Sequence, residues 1–139
     1  MIHNPYWNKT VTVYNKREDN NGVLWLKHTF DGCFAKFTNY SGVSGNVLNN
    51  AENAIIRIPY SDGYLPADEW LSLENGFENY YTFMPDDIVV VDNITDEIDE
   101  LTDGKRATDL IRKYAHKAVT VKSVNSDLDL PTKHFLLKG

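Results

Sequence analysis

Lys9-Thr10-Val11-Thr12-Val13-Tyr14-Asn15 alternates around β-branched residues. The polar run Lys16-Arg17-Glu18-Asp19-Asn20-Asn21-Gly22 follows and opens onto Val23-Leu24-Trp25-Leu26-Lys27-His28-Thr29-Phe30. Period-two alternation is the mark of a half-buried strand, and Asn-Gly between two such runs is a hairpin signal, here with a somewhat long loop over the polar run. The stretch from Lys9 to Phe30 therefore sets the class: β, with antiparallel pairing.

Working outward, Asp31-Gly32 has the composition of a second tight turn, and Cys33-Phe34-Ala35-Lys36-Phe37-Thr38-Asn39-Tyr40 resumes the β pattern as a third strand of a meander. Ser41-Gly42-Val43-Ser44-Gly45-Asn46-Val47-Leu48-Asn49-Asn50 has no sustained period and reads as a mobile loop of about ten residues. Asn53 to Tyr60 is a strand that must end or lie at an edge near Pro59, which has no N–H for a ladder. Pro66-Ala67-Asp68-Glu69-Trp70 suits a short helical turn anchored by Trp70, with carboxylates near its positive end. Asn79 to Met84 reads as a strand, and Ile88-Val89-Val90-Val91, apolar throughout, as a strand covered on both faces at the centre of the core.

Between Thr95 and His116 the period lengthens. Ile94, Ile98 and Leu101, then Leu110, Ile111 and Tyr114, predict two short helices broken at Asp103-Gly104. Ala118 to Val124 and His134 to Leu137 close the chain as strands. The expected fold is mainly β: a small antiparallel β-barrel or sandwich of about seven to eight strands with a short helical insertion. It forms a single domain over residues 1–139, with the loop 41–50 and the helical segment 95–116 as insertions.

Length and composition agree with one core. The chain has 139 residues, 42% of them hydrophobic and 12% aromatic, too apolar for a disordered chain. No apolar run approaches the roughly 18 to 20 residues that span a bilayer, and the first residues lack a basic region followed by an apolar segment. No membrane is expected as a partner, and action in a reducing cytoplasm is the default expectation. A formal net charge of −6 repels phosphate, so tight gripping of DNA or RNA is not expected.

No constellation for chemistry emerges. Cys33 is the one cysteine and sits between aromatics, which excludes an internal disulfide or a thiolate-rich zinc site and reads as a small buried hydrophobe. His3, His28, His116 and His134 are scattered without metal-ligand spacing. Asp86, Asp87, Asp92, Asp96, Glu97, Asp99, Glu100 and Asp103 crowd one region. A calcium loop begun at Asp99 places Gly104 correctly but puts Leu101 and Leu110 where oxygen ligands belong. The acidic stretch therefore reads as a solvated helix face and loop. Ser41-Gly42-Val43-Ser44-Gly45 lacks the context of a hydrolase elbow or a phosphate-cradling loop. Phe34, Phe37 and Tyr40, and Tyr80, Tyr81 and Phe83, lack the basic stripe that nucleobase stacking needs and read as core. No catalytic residue, metal or cofactor is expected, and an interaction protein is expected rather than an enzyme.

Several segments taken together resemble one family: small structural proteins from the head-to-tail connection of long-tailed phages, called head-closure or minor capsid proteins. They are Thr12-Val13-Tyr14-Asn15-Lys16 with Trp25, Gly32-Cys33-Phe34, Ile56-Arg57-Ile58-Pro59, and Tyr81-Thr82-Phe83 leading to Asp86-Asp87-Ile88-Val89-Val90. Val119-Thr120-Val121-Lys122-Ser123-Val124-Asn125 and His134-Phe135 complete the set. The resemblance implies a β-barrel subunit of the virion neck, assembled in the host cytoplasm. Its partners would be copies of itself in a ring, portal or adaptor and tail proteins, and DNA passing through the lumen without tight binding. The candidate interface or lumen residues are Ser41, Gly42, Val43, Ser44, Gly45, Asn46, Val47 and Leu48, together with Asp96, Glu97, Asp99, Glu100 and Asp103. A tail-terminator-type ring subunit and a β-barrel module binding a peptide or small ligand are the alternatives.

Overall fold

The computed structural model describes residues 6–19, 22–44, 47–128 and 133–139. In chain order its elements are β1 (Lys9–Asp19), β2 (Gly22–Ser44), β3 (Val47–Pro59), α1 (Ala67–Ser72), a 3-10 turn (Phe77–Asn79), β4 (Ile88–Val90), α2 (Ala107–Lys113), β5 (Ala118–Thr120), β6 (Ser123–Asp127) and β7 (His134–Lys138). The seven strands form one hydrogen-bonded antiparallel series, β5-β4-β1-β2-β3-β7-β6.

β2 is the spine. Its first part pairs with β1 as far as Asp19↔Gly22, so Lys16 to Asp19 are ladder and not the long loop expected there, and its second part pairs with β3, from Phe34↔Arg57 to Ser44↔Val47. Asp31-Gly32 is therefore not a turn between two strands but a kink within one. The register slips between Lys9↔Cys33 and Val11↔Phe30, so β2 uses one more residue than β1, and Gly32 takes φ +67°. A tight turn and a glycine bulge both need a left-handed residue, so the dipeptide looks the same in either. The kink carries β2 from one half of the series to the other, and the two halves close over a shared core. Val11, Val13 and Val89 from one half meet Ile56, Ile58, Phe135 and Leu137 from the other, with Tyr81 and Phe83 packed in the same cluster.

β4 is covered on both sides, as its apolar run predicts. Val89 joins that core, while Ile88 and Val90 pack in a second cluster with Tyr14, Trp25, Ile94, Ile98, Leu110 and Ala118. The series is not closed into a barrel. The chain leaves β5 through Val121 and Lys122, whose N–H groups bond to the Asp87 and Lys138 carbonyls, and enters β6 in the other half. The sandwich-like alternative is the one the fold adopts.

Three other expectations change. Residues 41–44 and 47–50 are not loop, because their backbone continues the ladder as Ser41↔Asn50, Gly42↔Asn49 and Val43↔Leu48. Antiparallel cross-strand pairing satisfies the backbone whatever the periodicity of the side chains. Gly45 and Asn46, the remaining residues of the expected loop, lie outside the described residues.

The first of the two expected helices is absent: Ile94 and Ile98 are buried in chain without regular secondary structure, whereas Leu101 is 94% exposed. Side chains of the sheet take the carbonyls that a helix would have used, Tyr14 Oη donating to the Asp96 carbonyl at 2.6 Å and Lys27 Nζ to that of Thr95 at 3.2 Å. The third change is at 79–84, which forms no strand beyond a single bridge between Tyr81 and Tyr64. Its backbone is held instead by Asn15, whose Nδ2 donates to the Thr82 carbonyl at 2.6 Å.

Candidate functional site

The candidate residues fall into two groups on different halves of the fold. Ser41, Gly42, Val43 and Ser44 continue β2, and Val47 and Leu48 begin β3. The last pairing of β3 with β7 is Ile55↔Lys138, and the last of β2 with β1 is Lys9↔Cys33. Beyond these points the strands pair only with each other, from Thr38↔Asn53 to Ser44↔Val47, and no described strand flanks either edge. The result is a two-stranded arm of seven residue pairs, about 23 Å long at the usual rise. Residues 38–53 contain one charge, Glu52, and neither proline nor any basic residue.

Asp96, Glu97, Asp99, Glu100 and Asp103 lie instead in the segment packed outside β1, β2 and β4, and it is tied down by its charges. Asp96 bonds Lys113 Nζ and Tyr114 Oη, both at 2.7 Å, and the Lys113 ammonium holds its carboxyl below the usual range. Glu97 pairs with Lys27 at 3.0 Å and Asp103 with Arg106 at 2.9 Å. Glu100 accepts from Trp25 Nε1 at 3.1 Å and from the Ala107 N–H at 3.0 Å, joining β2 to the start of α2. Asp99 closes a turn, accepting from Thr102 Oγ1 at 2.7 Å, with its carboxyl lowered by that bond. A cleft of about 310 Å³ opens between this segment and α2. Its lining is of mixed charge, with the carboxylates Asp96, Glu97 and Asp109 and the cations Lys105, Arg106 and Lys113.

Two buried polar centres were not legible as sites. Asp87, taken with its neighbours for a solvated carboxylate, is fully buried. It accepts from Asn15 Nδ2 at 2.8 Å, the Lys16 N–H at 3.0 Å and the Met84 N–H at 2.9 Å. Desolvation nevertheless pushes its carboxyl up to about 7, against the pull of those donors. The second centre is Arg17, 8% exposed, which donates to the Trp70 carbonyl at 2.8 Å and to that of Leu73. Its guanidinium lies 4.1 Å from the Phe77 ring centroid and 5.3 Å from that of Trp70. Arg17 thus supplies the positive charge that α1 lacks in its own last turn. Both centres join β1 to chain far away in sequence, and their effect is to fix segments 67–79 and 82–87 onto the sheet.

Cys33 is fully buried, and burial pushes its thiol up to about 12, so it is not a nucleophile at neutral pH. Among the described residues no group of three His, Cys, Asp or Glu side chains is placed to hold a metal ion. No described helix is long and apolar enough to cross a membrane.

A family model described as a family of unknown function, DUF6751, matches residues 6–139. The chain belongs to that family. No curated protein and no solved structure matches it. Since the match begins at Tyr6 and runs to Gly139, it takes in the arm, both buried polar centres and the acidic segment together.

Proposed function

We propose that the chain is a structural subunit of the phage neck, a head-closure or connector protein that forms a ring between the portal or adaptor and the tail. The observation that carries this reading is the arm. A hairpin with no flanking strand is marginally stable by itself in water, and one that is almost free of charge in an acidic chain is suited to docking on other protein. The sequence resemblance to head-closure proteins supplies the setting.

The acidic segment fits the same reading in a reduced role. Leaving out the buried Asp87, residues 86–117 hold eight carboxylates against five bases. That surplus disfavours adhesion to DNA even though Asp96, Glu97 and Asp103 are each paired with a cation. The test is image reconstruction of the neck of purified particles together with mass spectrometry of their proteins. A ring of this chain between portal and tail is the expected result, and absence of the chain from complete particles overturns the proposal.

A further inference from the structure

We infer that the arm of one copy adds as a strand to the free edge of β6 in a neighbouring copy, so that the ring closes through a head-to-tail β contact. This names the partner of the arm and rests on the connector reading above. Both halves of the joint are present on this one chain. β6 ends the strand series, and no described strand covers its outer edge.

β6 is also the better of the two terminal edges. β5 has three residues, too few for much of a ladder, whereas β6 has five. In composition, Ser123-Val124-Asn125-Ser126-Asp127 matches the arm, with serine, asparagine and valine and a single charge. Edges in soluble proteins are ordinarily blunted by lysine, proline or inward charge, and residues 38–53 carry no lysine and no proline. Each edge carries a single charge, Glu52 in the arm and Asp127 in β6, so on a chain of net charge −6 two copies meet there with less repulsion than the more acidic surfaces would produce.

The contact must be between copies. The arm continues the axis of β3, and β7 stands between β3 and β6. An arm therefore cannot reach the outer edge of its own β6. Arm and edge are different surfaces, so the contact is heterologous, the kind that gives a ring when its repeated rotation closes.

The test mixes two single-site variants of the full chain, Ser44→Cys and Asn125→Cys, under mild oxidation. Native Cys33 is buried and does not compete. The expected product is a disulfide between one copy of each variant. Predominance of disulfides between two Ser44→Cys copies would show arm-to-arm pairing and overturn the inference. A second variant replaces residues 38–53 with Asn-Gly, which closes the hairpin because Phe37 and Ala54 are directly opposed. Sedimentation should show that the intact chain self-associates with concentration and that the trimmed chain does so at least about tenfold more weakly. Equal association of the two, or an intact chain monomeric at its solubility limit, overturns the inference. Arm-dependent association of a chain absent from particles would remove the neck reading and leave the contact standing.

Discussion

Asp87→Asn should change how the stability of this protein depends on pH. In the folded state burial lifts the Asp87 carboxyl from its ordinary 3.8 to about 7. A carboxyl raised on folding contributes stability that is fully present below the unfolded value and is lost as pH rises through the folded one. At pH 5 the folded protein holds this proton and the unfolded chain has largely released it. At about 1.4 kcal/mol per pH unit over the two units up to 7, Asp87 contributes about 3 kcal/mol at pH 5 and close to nothing at pH 8. Asparagine keeps the shape, but its amide cannot accept from all three of Asn15 Nδ2, Lys16 N–H and Met84 N–H. One donor is left unpaired, at a cost of about 1 to 3 kcal/mol. Urea unfolding of both proteins at pH 5 and pH 8 isolates the effect, because all other titrations are common to the two. The advantage of the wild type over the variant should fall by about 3 kcal/mol between pH 5 and pH 8. A difference that stays constant with pH would refute the reasoning. One that grows with pH would mean that the three donors outweigh desolvation.

Three further outcomes are expected. Arg17→Met keeps some apolar bulk but leaves the Trp70 and Leu73 carbonyls without their donor, and should lower stability by about 3 kcal/mol in denaturant unfolding. Hydrogen exchange should rise first in residues 67–79; an unchanged midpoint would show that the guanidinium contributes nothing net. Gly32→Ala meets only the Trp7 carbonyl, at 3.9 Å, so its cost should be the positive φ alone, about 1 kcal/mol in thermal unfolding. Cys33 should resist a thiol reagent at pH 8 until the protein is unfolded, and labelling of the native state at the unfolded rate would contradict its burial.

The β class, the antiparallel pairing of β1 with β2, the anchoring Trp70 and the doubly covered Ile88–Val90 strand were all legible in the sequence. Each rests on a pattern within a few residues: alternation, an Asn-Gly, a proline before a short helix, an unbroken apolar run. What the tertiary structure alone decided is which distant partner each backbone group found. Asp31-Gly32 reads equally as a turn or a bulge, and only the length of β1 alongside β2 makes it a bulge. The apolar spacing of Ile94 and Ile98 suits a helix, yet Tyr14 and Lys27 take carbonyls of that segment and tie it to the sheet as irregular chain. Residues 41–50 have no periodicity of their own, and the ladder between β2 and β3 pairs the backbone of 41–44 with that of 47–50 as an arm. Asp87 looks like one of many surface carboxylates until Asn15, 72 residues away, and two backbone N–H groups close around it. Local patterns set the kind of element, because they depend on neighbours a few bonds away. Which residues become sites depends on burial and on long-range hydrogen bonds, and these exist only once the chain has folded.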